Sequence, residues 1–139
     1  MLHCYWVPPA DLAGSWPVLA ELIEKAASTQ VEWTLAGIVR RVMSGEWRLW
    51  MAWDDEAHQT KALMAVRIGE TDAGERHCEV SFCVGDDMAS GWPALVSNIE
   101  EWAKQNNCKR MVFATRPGWG RVMRQYGFET THVIIEKAL

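Results

Sequence analysis

The chain has no run of apolar residues approaching the ~20 needed to cross a bilayer. Its first residues also lack the charged-then-apolar pattern of a secretory leader. A membrane-spanning helix is thereby excluded, and export is not expected. Cysteine is sparse and unpatterned: Cys4, Cys78, Cys83 and Cys108 form no Cys-x-x-Cys pair, and His3, His58, His77 and His132 are scattered. Neither a zinc-ligand spacing nor a disulfide framework exists, so no metal is expected and a reducing, cytoplasmic setting is favoured. Positive charge is short as well. Lys and Arg number 14 against 18 Asp and Glu, a net charge of −4, so no basic field draws nucleic acid or an anionic membrane surface. There is no Gly-x-Ser-x-Gly elbow, no Walker-type loop and no cysteine with an evident His partner, which removes the common nucleophile and P-loop chemistries. No repeat, low-complexity tract or linker interrupts the 139 residues. They read as one domain, 1–139, long enough for a core without covalent staples.

Tryptophan is the abundant residue, with nine copies in a chain that is 49% hydrophobic. Large amphipathic rings suit the core and its boundary in a small domain; if several are exposed, they make an aromatic interaction surface instead. A local basic group, Lys109, Arg110, Arg116, Arg121 and Arg124, reads as a solvated face with helix-end charges, or as an anion site.

Apolar spacing and turn residues divide the chain. Leu2 to Val7 is a strand stopped by Pro8-Pro9. Ser15 suits a helix N-cap ahead of Val18, Leu19, Leu22, Ile23 and Ala26 at helical spacing. A second helix is expected from Ser28-Thr29, with Val31, Leu35, Ile38, Val39 and Val42 on one side and Gly45 as its left-handed stop. Strands follow at Arg48 to Trp53, Ala62 to Ile68 and His77 to Val84, joined by short turns into an antiparallel meander. Gly91 to Asn106 is a helix, Met111 to Thr115 a strand, Trp119 to Tyr126 a short helix, and Phe128 to Glu136 a closing strand. The order is βααβββαβαβ.

That order, with the C-terminal segment Arg121-Val122-Met123-Arg124-Gln125-Tyr126-Gly127-Phe128-Glu129, resembles the GNAT (Gcn5-related N-acetyltransferase) superfamily along nearly the whole chain. The resemblance implies an α/β (α+β) acyl-CoA N-acyltransferase fold: a central mixed, mostly antiparallel twisted sheet flanked by helices. It also implies acetyl-CoA as co-substrate, held where the fourth strand splays from its neighbour and a glycine-rich turn meets the next helix. Orphan N–H groups and the helix dipole make such a turn an anion site.

By this resemblance, Phe82, Cys83 and Val84 line the acyl arm, and Ala89, Ser90, Gly91 and Trp92 meet the pyrophosphate. Arg116 reaches the 3′-phosphate or an acidic substrate. The family's phosphate turn carries Arg or Gln, then two residues, Gly, one residue, and Gly or Ala. Here Asp86 stands at the basic or amide position, with Asp87 beside it, Ala89 at the first small position and Gly91 at the last. Paired carboxylates suit a helix N-terminus and repel a polyanion.

Glu79 is the candidate general base, on a strand whose alternation predicts His77, Glu79, Ser81 and Cys83 on one face and Cys78, Val80, Phe82 and Val84 on the other. The competing reading makes Glu79 a solvated cross-strand partner of an arginine such as Arg67. The family's general-acid position, four residues before the glycine of Gly-Phe, falls on Met123. Tyr126, immediately before that glycine, is the tyrosine at hand and the candidate acid, against a packing role at the helix end.

Two functions follow. One is an acetyl-CoA-dependent N-acetyltransferase acting on a small-molecule or protein amine. The other is a catalytically inactive GNAT-like protein that binds a protein partner or self-assembles. Short, Trp-rich chains of this kind resemble accessory or virion components of tailed phages.

Overall fold

A computed structural model describes residues 1–29, 32–85, 88–114 and 118–139, with the backbone alone for 88–90. Strand β1 (Leu2–Val7) ends at the two prolines, and a 3-10 turn (Pro9–Asp11) feeds directly into α1 (Leu12–Ser28). The helix therefore starts ahead of the expected Ser15 cap. Leu12, 3% exposed, anchors its first turn in the core, and tertiary burial outweighs the capping preference of Ser15.

Helix α2 (Leu35–Ser44) begins later than Ser28-Thr29, because Ser28 is the last residue of α1 and Thr34 is the true cap. The Thr34 hydroxyl accepts from the Gly37 N–H at 3.0 Å. Gly45 ends α2 at φ 81°, the left-handed conformation its sequence position predicts. The expected apolar contribution of Val31 lies outside the described residues.

The meander forms as β2 (Arg48–Asp54), β3 (Gln59–Glu70) and β4 (Arg76–Gly85), all antiparallel, with β1 on the outer edge of β2. Helix α3 (Met88–Gln105) crosses to β5 (Cys108–Phe113), which runs parallel to β4 and completes a five-stranded sheet in chain order. Strand β5 begins before the expected Met111: Cys108 pairs with Arg76 and Arg110 with His77, so the ladder recruits the basic residues ahead of the apolar run.

Two cores sandwich the sheet. Leu19, Leu22, Ile23 and Ala26 of α1 and Ile38 and Val42 of α2 pack on Leu49, Met51, Leu63, Ala65, Phe82 and Val84. On the other face Trp92, Leu95, Val96, Ile99 and Ala103 of α3 pack on Trp50, Ala52, Ala62, Met64, Val66, Cys78 and Val80. Each fully buried aliphatic side chain contributes about 1.5–3 kcal/mol.

The even alternation expected along β4 is interrupted. Ala65 pairs with Phe82 but Val66 pairs with Val80, so Ser81 is an extra, bulged residue. Cys78 and Val80 face α3, whereas Phe82 and Val84 face α1 and α2, with Cys83 back against the α3 side. A single inserted residue flips everything after it, which a strict period of two cannot foresee.

Helix α4 (Trp119–Met123) continues as a 3-10 turn (Arg124–Tyr126) and stops at Gly127, φ 87°. The closing strand expected over Phe128 to Glu136 is not formed. Phe128 packs edge-on against Phe113 at 5.1 Å, but residues 128–139 join no ladder. Val133, Ile134 and Ile135 are 76%, 76% and 90% exposed. A strand is stabilised by its pairing, and apolar β-formers without a paired edge gain nothing from their propensity.

Candidate functional site: the parting of β4 and β5

The ladder between β4 and β5 runs from Arg76–Cys108 to Val80–Phe113 and stops. Beyond it, β4 continues through Ser81 to Gly85, paired on one side with β3 from Ala65 to Ala62. On the β5 side these residues have no ladder partner among the described residues. The bulge at Ser81 lies at the point of divergence and bends β4 away as its companion ends. The result is a length of strand backbone in the middle of a sheet whose β5-facing side has no ladder partner among the described residues, where such groups otherwise find partners.

Phe82 and Val84 are each 8% exposed and turn their side chains into the α1–α2 core, so what they offer the gap is backbone. Cys83 lies on the opposite face, and burial pushes its thiol up to about 12. At the end of β4 the Gly85 carbonyl accepts from the Lys25 ammonium at 3.2 Å. Lys25 thus brings positive charge from α1 to the strand end that precedes α3. Nothing in the sequence signals this, because the two residues are 60 positions apart.

Ala89 and Ser90 lie in the first turn of α3. The side chains of both lie outside the described residues, as do Asp86, Asp87 and Arg116 altogether. Gly91 faces the sheet, and a Cβ there would stand 2.9 Å from the Ala62 Cβ, so its smallness lets α3 lie close on β3.

Trp92 is 3% exposed and forms the centre of an aromatic cluster. Its ring centroid is 5.2 Å from Phe113, 5.6 Å from Trp119 and 6.2 Å from Tyr126. Phe113 is the last residue of β5, so this cluster borders the parting of the strands. The indole N–H of Trp92 is buried and has no acceptor among the described residues. Tyr126 is brought to Trp92 by the 3-10 turn and remains 37% exposed.

Glu79 sits in the paired part of β4, opposite Val112 on β5 and Arg67 on β3. Arg67 donates to its carboxylate at 2.7 Å, and the His77 Nε2 lies 3.9 Å from the same oxygen. At this exposure such a pair contributes ~0.2–1 kcal/mol. The His77 Nδ1 is buried with no partner among the described residues. Val80 faces α3, so Glu79 projects from the opposite face, whereas Tyr126 packs with Trp92 in the cluster on the α3 side. The two candidate proton carriers are not in contact among the described residues.

The remaining cysteines favour the neutral thiol. Burial raises Cys4 to about 11 and Cys78 to about 12, and it raises Cys108 as well. Among the described residues no group of His, Cys, Asp and Glu is placed to hold a metal ion, and no helix is long and apolar enough to cross a membrane.

No protein-family model and no curated protein sequence matches the chain. Solved structures do. An acetyltransferase of Trypanosoma brucei superposes with a TM-score of 0.72 at 14% identity, over 100% of both chains. A GNAT family acetyltransferase of Staphylococcus aureus gives 0.68 at 11% identity, covering 99% of this chain and 98% of the other. A predicted acetyltransferase of Clostridium acetobutylicum, solved with acetyl-CoA, gives 0.67 at 12% identity, covering 99% and 96%. The chain has the fold that these proteins share.

Proposed function

We infer, from a chain that has the GNAT fold, that the protein is an N-acetyltransferase drawing its acetyl group from acetyl-CoA and passing it to an amine. The observation that carries this reading is the parting of β4 and β5 after Val80 and Phe113. Strand backbone from Ser81 to Val84, without a β5 ladder partner among the described residues, fits the amide-bearing arm of the co-substrate, which needs donors and acceptors spaced as a strand spaces them. The N-terminal turn of α3, with Ala89 to Trp92, fits the pyrophosphate through its backbone N–H groups. Lys25, beside Gly85, adds a cation at that end.

When bound, acetyl-CoA supplies a thioester carbonyl open to attack by an amine. The chain's own residues do the rest. The backbone of Phe82, Cys83 and Val84 holds the arm, and a strand N–H facing the gap offers a donor where negative charge develops on the carbonyl oxygen. Glu79 takes the proton from the incoming amine, directly or through a water, and exchanges its Arg67 contact for that role. Tyr126 returns a proton to the departing sulfur, and Arg116 meets the 3′-phosphate or an acidic acceptor. Thiol release from acetyl-CoA, followed over a panel of small amines and basic peptides, tests the reading. The expected result is amine-dependent release that falls by about 10²–10⁴-fold in Glu79→Gln. Release that is absent with every acceptor contradicts it.

A second reading has its own observation. Trp92 is buried among Phe113, Trp119 and Tyr126 at the edge of the gap, where an aromatic filling can stand in place of a co-substrate. In that case the protein is a binding or assembly component with an inactive fold. It then neither binds acetyl-CoA nor releases thiol, and Trp92→Ala destabilises it without opening a co-substrate site.

A further inference from the structure

A second cleft, of about 270 Å³, opens at the other end of the sheet, where β1 ends at Val7, β2 begins at Arg48 and β3 passes through Val66 to Ile68. Gly85, at the parting of β4 and β5, pairs with Ala62, so the two places are separated along β3 as well as across the sheet. The cleft is walled by Trp6 and Trp102, and Arg48 stands in it. The Arg48 guanidinium lies 3.8 Å above the Trp6 ring, 4.8 Å from that of Trp102 and 5.5 Å from that of Trp50.

Stacking uses the faces of a guanidinium and leaves its in-plane N–H fork available. Here that fork is unused. Arg48 has no hydrogen bond or ion pair among the described residues, and its Nε–H is buried without an acceptor. The Trp50 indole N–H lies behind Arg48 in the α3-side core and has no acceptor among the described residues. The other charged groups of the cleft are engaged: Glu46 with Arg41 at 3.2 Å and Arg67 with Glu79 at 2.7 Å. Partial desolvation lowers the Arg48 pKa, as it does for a half-buried cation with no counterion beside it. Buried donors of this kind ordinarily meet an acceptor.

We propose that this cleft is a binding site for a small organic oxyanion, a carboxylate or phosphate carried on an aromatic or apolar body, with Arg48 gripping the anion through its in-plane fork and Trp6 and Trp102 flanking the body. The site is independent of acetyl transfer and of the parting of β4 and β5.

Phenyl phosphate, benzoate, inorganic phosphate and the uncharged benzyl alcohol, titrated into the full ¹⁵N-labelled chain, test it by NMR. The Arg48 Nε–H and the indole N–H resonances of Trp6, Trp50 and Trp102 are read directly. The expected result is saturable movement of the Arg48, Trp6 and Trp102 signals with phenyl phosphate or benzoate, and roughly tenfold weaker binding in Arg48→Lys, which keeps the charge and loses the planar fork. The stronger of the two organic probes identifies the head group, and inorganic phosphate binding as tightly would overturn the role of the aromatic body. Arg48, Trp6 and Trp102 signals that stay still with all three anions up to about 10 mM overturn the proposal. So does benzyl alcohol acting as strongly as benzoate. The native-chain titration stands whether or not the Arg48→Lys protein folds.

Discussion

Gly91 shows how one atom sets the distance between layers. Any side chain there must push against Ala62, whose Cβ lies 2.9 Å from the position a new Cβ takes, with Ala52 at 3.6 Å behind it. Gly91→Val is expected to destabilise the protein by about 1–3 kcal/mol in urea unfolding, through overpacking between α3 and β3. Trp92, two-sided between core and candidate site, is more revealing. Trp92→Ala should cost about 3–5 kcal/mol. Trp92→Phe keeps the ring stack and discards an indole N–H that has no partner, so it should cost under ~1.5 kcal/mol. The buried thiols give a pH signature. Desolvation raises both Cys78 and Cys83 to about 12, from an ordinary thiol value of 9.0. Their neutral forms are favoured by the fold, so that contribution is whole below about 9 and is lost as pH rises toward 12. Mass spectrometry after brief alkylation of the native protein at pH 8 should find Cys78 unmodified, and its rapid labelling contradicts its burial.

Elements were legible in the sequence where one force dominated. Helical spacing located α1, α2 and α3, and Gly45 marked its stop because no other residue takes φ 81° as cheaply. The meander followed from alternation and short turns. What escaped was set by contacts between distant residues: the early start of α1 at Leu12, the extension of β5 down to Cys108, the bulge at Ser81, and the unpaired end after Phe128. The site divides the same way. Position on β4 picked out Glu79, and Arg67 was in reach as its cross-strand neighbour, but Lys25 at Gly85 and Phe113 against Trp92 belong to tertiary structure. The C-terminal segment gives a direct test. Deleting residues 131–139 should change unfolding free energy by less than ~0.5 kcal/mol, since Val133, Ile134 and Ile135 touch little, and a larger loss would mean that they pair in solution. The β1–β2 end has an acid signature. Backbone N–H groups of Ala57 and Glu56 hold Asp54 below its usual range, and His3 does the same for Asp55 at 2.9 Å. Depressed carboxylates stabilise above their unfolded value, 3.8, and lose that contribution as pH falls below it, so β1 should loosen in amide exchange under acid before the α3 core does.

For the molecule as a whole, the proposed chemistry depends on the parting of β4 and β5. Two packed faces cover β4 from Val80 to Val84, and from Ser81 onward its β5 side has no ladder partner among the described residues. An amide-bearing ligand can add there as a strand adds to an edge, at no cost in rearranging the core. The most direct measurement is a titration of acetyl-CoA into the ¹⁵N-labelled protein, reading the backbone amides of Phe82 to Gly85 and of Gly91 to Trp92. Saturable shifts concentrated at those amides, with dissociation in the micromolar range of roughly 1–100 µM, are the predicted result. Amides from Phe82 to Gly85 that do not move at millimolar acetyl-CoA would contradict the account and leave Trp92 and its ring partners as the occupants of the gap.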